Sequence, residues 1–255
     1  MELLHVNIPN WSDLRFWLPE AILCGTFLAA LLGDNGAGKS VLIKCISGTH
    51  APDEGHIWWD GREVHIHTPH EAAALGIETV YQDLALCDNL TAALNVFMGR
   101  ELTRGWGPFR VLDRRSMVRR AGELFAELKS ETRPGDLVQM MSGGQRQALT
   151  MLMATLVRPD VLLLDEHLAA LDPKTAGQIL SLTREIVAEQ NLTTLMITHN
   201  MKHAIDFGNR LIMLHQSRII LDVSGEEKQS LSVNDLLQQF YKVQGEELAN
   251  DSMLL

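Results

Sequence analysis

Residues Gly33 to Ser40 read Gly-Asp-Asn-Gly-Ala-Gly-Lys-Ser, a spacing of residue types suited to holding a polyphosphate. An apolar run from Phe27 to Leu32 precedes it and suits a buried strand, and Val41 to Ser47 follows and suits a helix. A loop so placed lies where a helix N-terminus aims unpaired backbone N–H groups at an anion. Gly36 and Gly38 permit close backbone approach to phosphate, Lys39 reaches the β and γ phosphates, and the Ser40 hydroxyl is a ligand for Mg²⁺. Asp34, Asn35, Ala37 and Val41 complete the candidate cradle for ATP. In a chain of 255 residues such a match arises by chance on the order of once in a hundred.

Two further groups bear on the same chemistry. Val161 to Leu164 is an apolar strand ending in the adjacent carboxylates Asp165 and Glu166. In a protein with a phosphate loop, strand ends lie beside the phosphates, so Asp165 is placed to hold Mg²⁺ through water and Glu166 to polarise an attacking water. Ser142-Gly143-Gly144-Gln145, opening a helix, offers a hydroxyl, two bare backbone positions and helix N-terminal N–H groups to a second anion. One chain has a single phosphate loop to set against it. A second copy turned head to tail would receive this cradle at its own γ phosphate, giving a symmetric homodimer with two shared sites.

The elements that must position these groups alternate between strand and helix patterns. Ile57 to Ile66 alternates around Asp60-Gly61, a hairpin signal. Thr68-Pro69-His70-Glu71 is a helix start with Thr68 as N-cap, and Ile77 to Tyr81 is a strand ending at Gln82. From Thr91 to about Arg158 the pattern is helical, at 91–98, 113–129 and 143–157, with a break at Gly105-Trp106-Gly107-Pro108 and no strand signal. Strand patterns return at 161–164, 194–198, 211–214 and 219–223, as for a mainly parallel sheet with crossover helices. The expected organisation is therefore a nucleotide-binding α/β core with an antiparallel β lobe at 1–89 and 159–225, a helical subdomain at 90–158, and a helical tail at 226–255 that frays after Gly245. Leu3 to Ile8 and Leu14 to Leu18 read as short strands limited by Pro9 and Pro19.

Composition narrows the function classes. A formal net charge of −10 argues against a surface built to grip nucleic acid. Cys24, Cys45 and Cys87 are odd in number and have no ligand-like spacing, which argues against a disulfide framework or a zinc site and suits a reducing cytoplasm. No signal peptide is expected, and the apolar run from Ala21 to Leu32 falls short of the roughly twenty residues that span a bilayer, so any membrane role is expected to come through a partner. His199 and His203 have the spacing of a zinc pair, but Met201 and Lys202 supply no acid between them. Arg114, Arg115, Arg119 and Arg120 read as a solvated helix face, with phosphate or partner binding as the alternative, and Met140, Met141, Met151 and Met153 read as core filling for the helical lobe.

Taken in order, the phosphate loop, Gln82 at a strand end, Ser142 to Gln145, Asp165-Glu166, Ala170-Leu171-Asp172 and Thr198-His199 resemble the ATPase subunit of an ATP-binding-cassette transporter from Leu31 onward. The resemblance implies a P-loop NTPase of RecA-like α/β fold with an antiparallel β lobe and a helical insertion. It implies ATP and Mg²⁺ sandwiched between two subunits, hydrolysis coupled to integral membrane permease subunits, and a periplasmic or extracellular solute-binding protein acting indirectly. By the same resemblance Gln82 senses the γ phosphate and completes the metal set with Ser40 and Asp165, His199 steadies the γ phosphate and the attacking water, Lys39 binds phosphate during catalysis, and Asp172 crosses the dimer interface. Val41 stands where the family usually has a second hydroxyl and Met141 where it usually has Leu. Trp11 is the candidate for stacking on adenine, against the alternative of an aromatic filling the β lobe.

Two subgroups are resembled at once. Ile77 to Leu86 and Phe97 to Leu102 are similar to single-cassette carbohydrate importers of the fructose and ribose type. Leu164 to His167, Ile197 to Met201 and Gly225 to Lys228 are similar to importers of amino-acid-like ligands. The expectation is a subunit on the cytoplasmic face of the membrane that powers uptake of a small solute, with carbohydrate first. The rival readings are a nucleotide-gated module without turnover and a soluble cassette protein outside transport.

Overall fold

Short apolar runs bounded by glycine, proline and aspartate become strands, and the amphipathic runs between them become helices. The structure, a computed structural model, describes residues 4–7, 28–33, 36–127 and 130–252. It begins with β1 (Leu4–Asn7), β2 (Leu28–Gly33), α1 (Lys39–Ile46), β3 (His56–Trp59), β4 (Arg62–Val64), α2 (Pro69–Ala74) and β5 (Ile77–Val80). There follow α3 (Ala92–Val96), β6 (Thr103–Arg104), β7 (Val111–Leu112), α4 (Arg114–Glu127), α5 (Gly143–Thr155), β8 (Val161–Asp165) and α6 (Pro173–Gln190). The chain closes with β9 (Thr193–Thr198), α7 (Met201–Asp206), β10 (Arg210–His215), β11 (Arg218–Ser224), α8 (Gly225–Gln229) and α9 (Val233–Ser252).

The chain divides into two units, the first comprising Met1–Thr79, Asp160–Glu166 and Asn191–Leu255. Its main sheet has six strands in the order β11-β10-β2-β9-β8-β5. β2 pairs in parallel with both β10 and β9, and β8 in parallel with β9, while β11 runs antiparallel at the edge. β8 and β9 are buried along their whole length, which is why Val161 to Leu164 of β8 and Leu195 to Ile197 of β9 read as apolar runs and not as alternations. Leu31, Ile43, Ile46, Leu163, Leu195 and Leu214 anchor the core on and around this sheet. β1, β3 and β4 form a separate antiparallel sheet whose β3–β4 turn uses Asp60 and Gly61 at φ 48° and 71°, the left-handed pair that a two-residue hairpin needs. Ahead of α2, Thr68 Oγ1 accepts from the Glu71 N–H at 3.2 Å and the Glu71 carboxylate accepts from the His67 N–H at 2.8 Å.

The tail belongs to this unit. Lys228 is 3% exposed, and its Nζ donates to the carbonyls of Ile205, Phe207 and Gly208 at 2.8, 2.7 and 2.8 Å, satisfying acceptors that α7 leaves open where it ends. Gly225, at φ 56°, starts α8 in the direction that brings Lys228 there. The expected fraying after Gly245 is corrected: α9 continues to Ser252, because one glycine costs a helix only about 1 kcal/mol and Glu246, Glu247, Leu248 and Ala249 beyond it are good helix formers.

The second unit comprises Val80–Pro159 and His167–Gln190, and so differs from the 90–158 segment expected by starting earlier and taking in α6, which packs on α5. Its core joins Val96, Phe97, Met117, Phe125, Leu149 and Leu152. Asn95, fully buried, holds the preceding loop to α3 through bonds with the Cys87 N–H and carbonyl at 2.8 and 3.1 Å. Two expectations fail here. Met141 and Met151 are core residues, but Met140 is 79% exposed because it ends a single 3₁₀ turn that faces outward. The stretch read as a plain break between helices is a hairpin, β6 with β7, whose strands of two residues are too short to carry an alternation.

The buried ammonium of Lys228 supplies the test of this account of the fold. Lys228→Met keeps most of the side-chain volume but strands three carbonyls, and is expected to lower stability by about 2–4 kcal/mol in urea unfolding. An unchanged unfolding midpoint would contradict the role given to this residue.

Candidate functional site

The parallel register sets the carboxyl ends of four strands side by side. Gly33 of β2 pairs with Leu214 of β10, Leu32 with Thr198 of β9, and Ile197 of β9 with Asp165 of β8. The groups that follow these strands therefore share one edge of the sheet, where open α/β sheets bind ligands.

β2 turns there into α1. A Cβ on Gly33 would lie 2.6 Å from the Leu214 carbonyl oxygen, so only glycine lets the chain leave the sheet at this point. Gly36 and Gly38 take φ of 87° and 90°, and at Gly36 the requirement is conformational, since a Cβ there would meet nothing within 4 Å. Gly38 is also the N-cap of α1, and no side chain caps the first turn, which leaves its N–H groups directed at the loop. Lys39 is 4% exposed and its Nζ donates to the Gly33 carbonyl at 2.6 Å, closing the loop on itself. Ala37 is buried, Ser40 is exposed, and Val41 points outward at 51% exposure.

Asp165 is 7% exposed, and its Oδ1 is buried with no hydrogen-bond partner. Burial first, and the Glu166 carboxylate second, push its carboxyl above the usual carboxylate range, against the opposing pull of Lys39 and Lys44. A buried, unpartnered carboxylate oxygen on the edge that carries the Ser40 hydroxyl fits a hard divalent cation.

Glu166 is a non-glycine residue at φ 45°, a conformation that costs about 1 kcal/mol and concentrates at functional sites. Its N–H donates to the Ile197 carbonyl at 3.2 Å, so β9 enforces the turn. The side chain, 13% exposed, brings Oε2 to 3.4 Å from Nδ1 of His199. His199 is itself held from behind: the Asn200 N–H donates to Thr198 Oγ1 at 3.0 Å, and Asn200 Oδ1 caps α7 by accepting from the His203 N–H at 3.1 Å. The first unit thus brings together Gly33, Gly36 to Ser40, Asp165, Glu166 and His199.

The other candidates lie in the second unit. Ser142 caps α5 in a reciprocal pair, its Oγ accepting from the Gln145 N–H at 3.3 Å while Gln145 Oε1 accepts from the Ser142 N–H at 2.9 Å. Gly143 is exposed, but Gly144 has a packing reason to be glycine, since a Cβ there would come 2.6 Å from Cγ2 of Thr175. Asp172 accepts from the N–H groups of Lys174 and Thr175 at 3.1 Å each, capping α6, and the hydrogen bonds from Thr175 hold its carboxyl below the usual range. Gln82 is exposed on the bend just after β5. Trp11, Asp34 and Asn35 lie outside the described residues. Sequence reasoning missed the strain at Glu166 and the Thr198–Asn200 brace; a polar Thr-His-Asn run closing an apolar strand was the available signal for the brace.

Comparison with known proteins agrees with this geometry. The family model described as ABC transporter matches residues 25–169. A tyrosine transport ATP-binding protein of Clostridioides difficile is 39% identical over 225 residues, covering 85% of this chain and 86% of that protein. A fructose import ATP-binding protein of Rhizobium meliloti is 40% identical over 191 residues, 72% of each chain. The crystal structure of an ATP-binding cassette of an ABC transporter in its ADP conformation superposes with a TM-score of 0.73 at 23% identity, covering 94% of this chain and 99% of that one, a likeness of fold. A family match over more than half of its length and relatives of this similarity show that the chain belongs to the ABC transporter family, as one of its ATP-hydrolysing cassettes.

Proposed function

We propose that the chain powers import of a small solute by hydrolysing Mg-ATP, with the carboxylate of Glu166 as the group that orients the attacking water. The observation that carries this assignment is the turn at Glu166, whose left-handed backbone holds the carboxylate 3.4 Å from His199 on the edge that bears the phosphate loop. In this reading the N–H groups of the loop and of α1 bind the phosphates, and Lys39 neutralises charge between the β and γ groups. Ser40, Asp165 and Gln82 are the residues that would hold Mg²⁺, which would supply further charge neutralisation. Glu166 accepts a hydrogen bond from the water, and His199 holds the γ phosphate and that water in line.

The second unit's cradle, Ser142 to Gln145, serves the nucleotide of a second copy, and Asp172 lies at the same interface in a head-to-tail homodimer. Trp11 stacks on the adenine. No helix among the described residues is long and apolar enough to cross a membrane. We assign the translocation path to separate integral membrane permease subunits, with this chain peripheral on their cytoplasmic side and a solute-binding protein presenting cargo on the other. Carbohydrate is the cargo favoured by the fructose import relative and by the segments Ile77–Leu86 and Phe97–Leu102. An amino-acid-like cargo is the second reading, favoured by the tyrosine transport relative, which spans more of the chain. Loss of labelled sugar uptake, with amino-acid uptake intact, in cells lacking this chain supports the first; the reverse result supports the second.

Glu166→Gln keeps the shape of the side chain but removes the charge, and phosphate release at saturating Mg-ATP is expected to fall by at least about 100-fold with ATP binding retained. Equal turnover in variant and parent contradicts the role of Glu166. In the Glu166→Gln background Mg-ATP, but not ADP, is expected to convert monomer to dimer by light scattering, and a monomer at saturating ATP contradicts the shared site. Asp165→Asn removes a buried charge whose raised pKa marks it as a cost to the nucleotide-free fold at neutral pH. The variant is therefore expected to melt above the parent without nucleotide and to lose the stabilisation that Mg-ATP gives the parent. A lower melting temperature without nucleotide would show Asp165 to be a structural group.

A further inference from the structure

The β6–β7 hairpin of the second unit presents aromatic rings and arginines to solvent. Thr103 pairs with Leu112 and Arg104 with Val111, and the Asp113 N–H closes the base on the Leu102 carbonyl at 2.8 Å. At the tip, Gly105 takes φ 95°, where a Cβ would lie 2.4 Å from the Phe109 carbonyl oxygen, and Gly107–Phe109 forms a 3₁₀ turn. Arg110 braces the ribbon from outside, its Nε and an Nη donating to Thr103 Oγ1 at 3.2 and 2.8 Å. On this local frame Trp106 is 82% exposed and Phe109 76% exposed, with Val111 and Leu112 about half exposed beside them.

The charge of the region is opposite to that of the chain. Of 22 basic and 32 acidic residues in all, 100–120 hold seven arginines and two acids, so a stretch with net charge +5 sits in a chain of net charge −10. Arg100 is committed to the Met153 carbonyl and Arg120 to Glu123. Arg104, Arg110, Arg114, Arg115 and Arg119 remain exposed around the hairpin and the first turns of α4. Asp113 lies among them, its carboxyl held below the usual range chiefly by hydrogen bonds from Ser116, which cap α4.

We propose that this hairpin is a lipid contact, inserting Trp106 and Phe109 at headgroup level into an anionic bilayer surface while the arginines around it bind lipid phosphates. Two arguments select lipid over a protein partner. The apolar surface is two rings, on the order of 150–250 Å² each, with the half-exposed Val111 and Leu112, which falls short of the roughly 800 Å² per side that a stable protein interface needs. An exposed indole and phenyl ring in a stretch that carries five exposed arginines match the chemistry of a membrane interface, with apolar acyl chains beneath a layer of phosphate. The surface includes none of the residues assigned to nucleotide, so the contact stands or falls separately from the hydrolytic assignment, and it adds a direct membrane contact to one made through permease subunits.

The test is flotation of the full chain, without permease, with vesicles of phosphatidylcholine alone or with about a third phosphatidylglycerol. Flotation is expected with the anionic vesicles only, falling when salt is raised to about 0.5 M. Trp106→Ala with Phe109→Ala, and separately Arg114→Glu with Arg115→Glu, are expected to lower the bound fraction about tenfold or more, and the aromatic variant to hydrolyse ATP in solution at the parent's rate, which shows it folded. No flotation with anionic vesicles, flotation that either pair of substitutions leaves unchanged, or hairpin variants that lose only co-purification with permease in detergent would each overturn the proposal.

Discussion

The site depends on one constraint, the parallel register of β10, β2, β9 and β8. Because Gly33, Leu214, Thr198 and Asp165 fall at neighbouring positions of that ladder, everything that follows these strands emerges along one edge. A one-residue slip of β8 against β9 would move Asp165 from the edge and turn its side chain to the other face. The register is fixed in turn by burial: β8 has no exposed residue between Asp160 and Asp165, so a slip would have to draw a carboxylate into the core. Core packing and phosphate chemistry are thereby set by the same hydrogen-bond ladder.

That edge is costly to the nucleotide-free fold. Asp165 carries a buried carboxylate oxygen without a hydrogen bond, Lys39 carries a buried ammonium, and Glu166 sits in a left-handed conformation. Each departs from what a sequence chosen for stability alone would place there. The remainder of the first unit offsets these costs with ordinary means. Leu31, Leu163, Leu195 and Leu214 are almost wholly buried, and Lys228 satisfies three carbonyls at the end of α7. Strain and buried charge of both signs at the strand ends are the physical mark of a site arranged for a ligand that brings an anion and a cation together.

Much of this was legible in the sequence, for reasons that differ by element. The phosphate loop could be read because its glycines answer backbone demands, a close approach at Gly33 and positive φ at Gly36 and Gly38. The Asp60-Gly61 turn and the Thr68 cap were legible because turn and cap chemistry is local. The β6–β7 hairpin was not, since its two-residue strands leave no period, and the helix beyond Gly245 was not, since a glycine there has the composition of a helix end although four helix formers follow it. Gly144 shows how one residue type can answer two demands. Read as bare backbone for an anion, it also makes room for Thr175. The conformation of Glu166 was beyond the sequence because it is imposed by a bond to Ile197, a residue 31 positions later.

In the proposed dimer one chain holds only half of each phosphate site, with the loop in one copy and Ser142 to Gln145 in the other. Mixing two inactive variants tests this directly. Lys39→Ala disables the loop, Ser142→Arg blocks the cradle, and a dimer of one with the other has one site in which both halves are intact. Each variant alone is expected to release phosphate at a small fraction of the parent rate, and an equimolar mixture to recover roughly a quarter of it, as follows from statistical pairing in a two-fold dimer. A mixture no more active than its components, or a Ser142→Arg protein that turns over at the parent rate alone, would contradict the account.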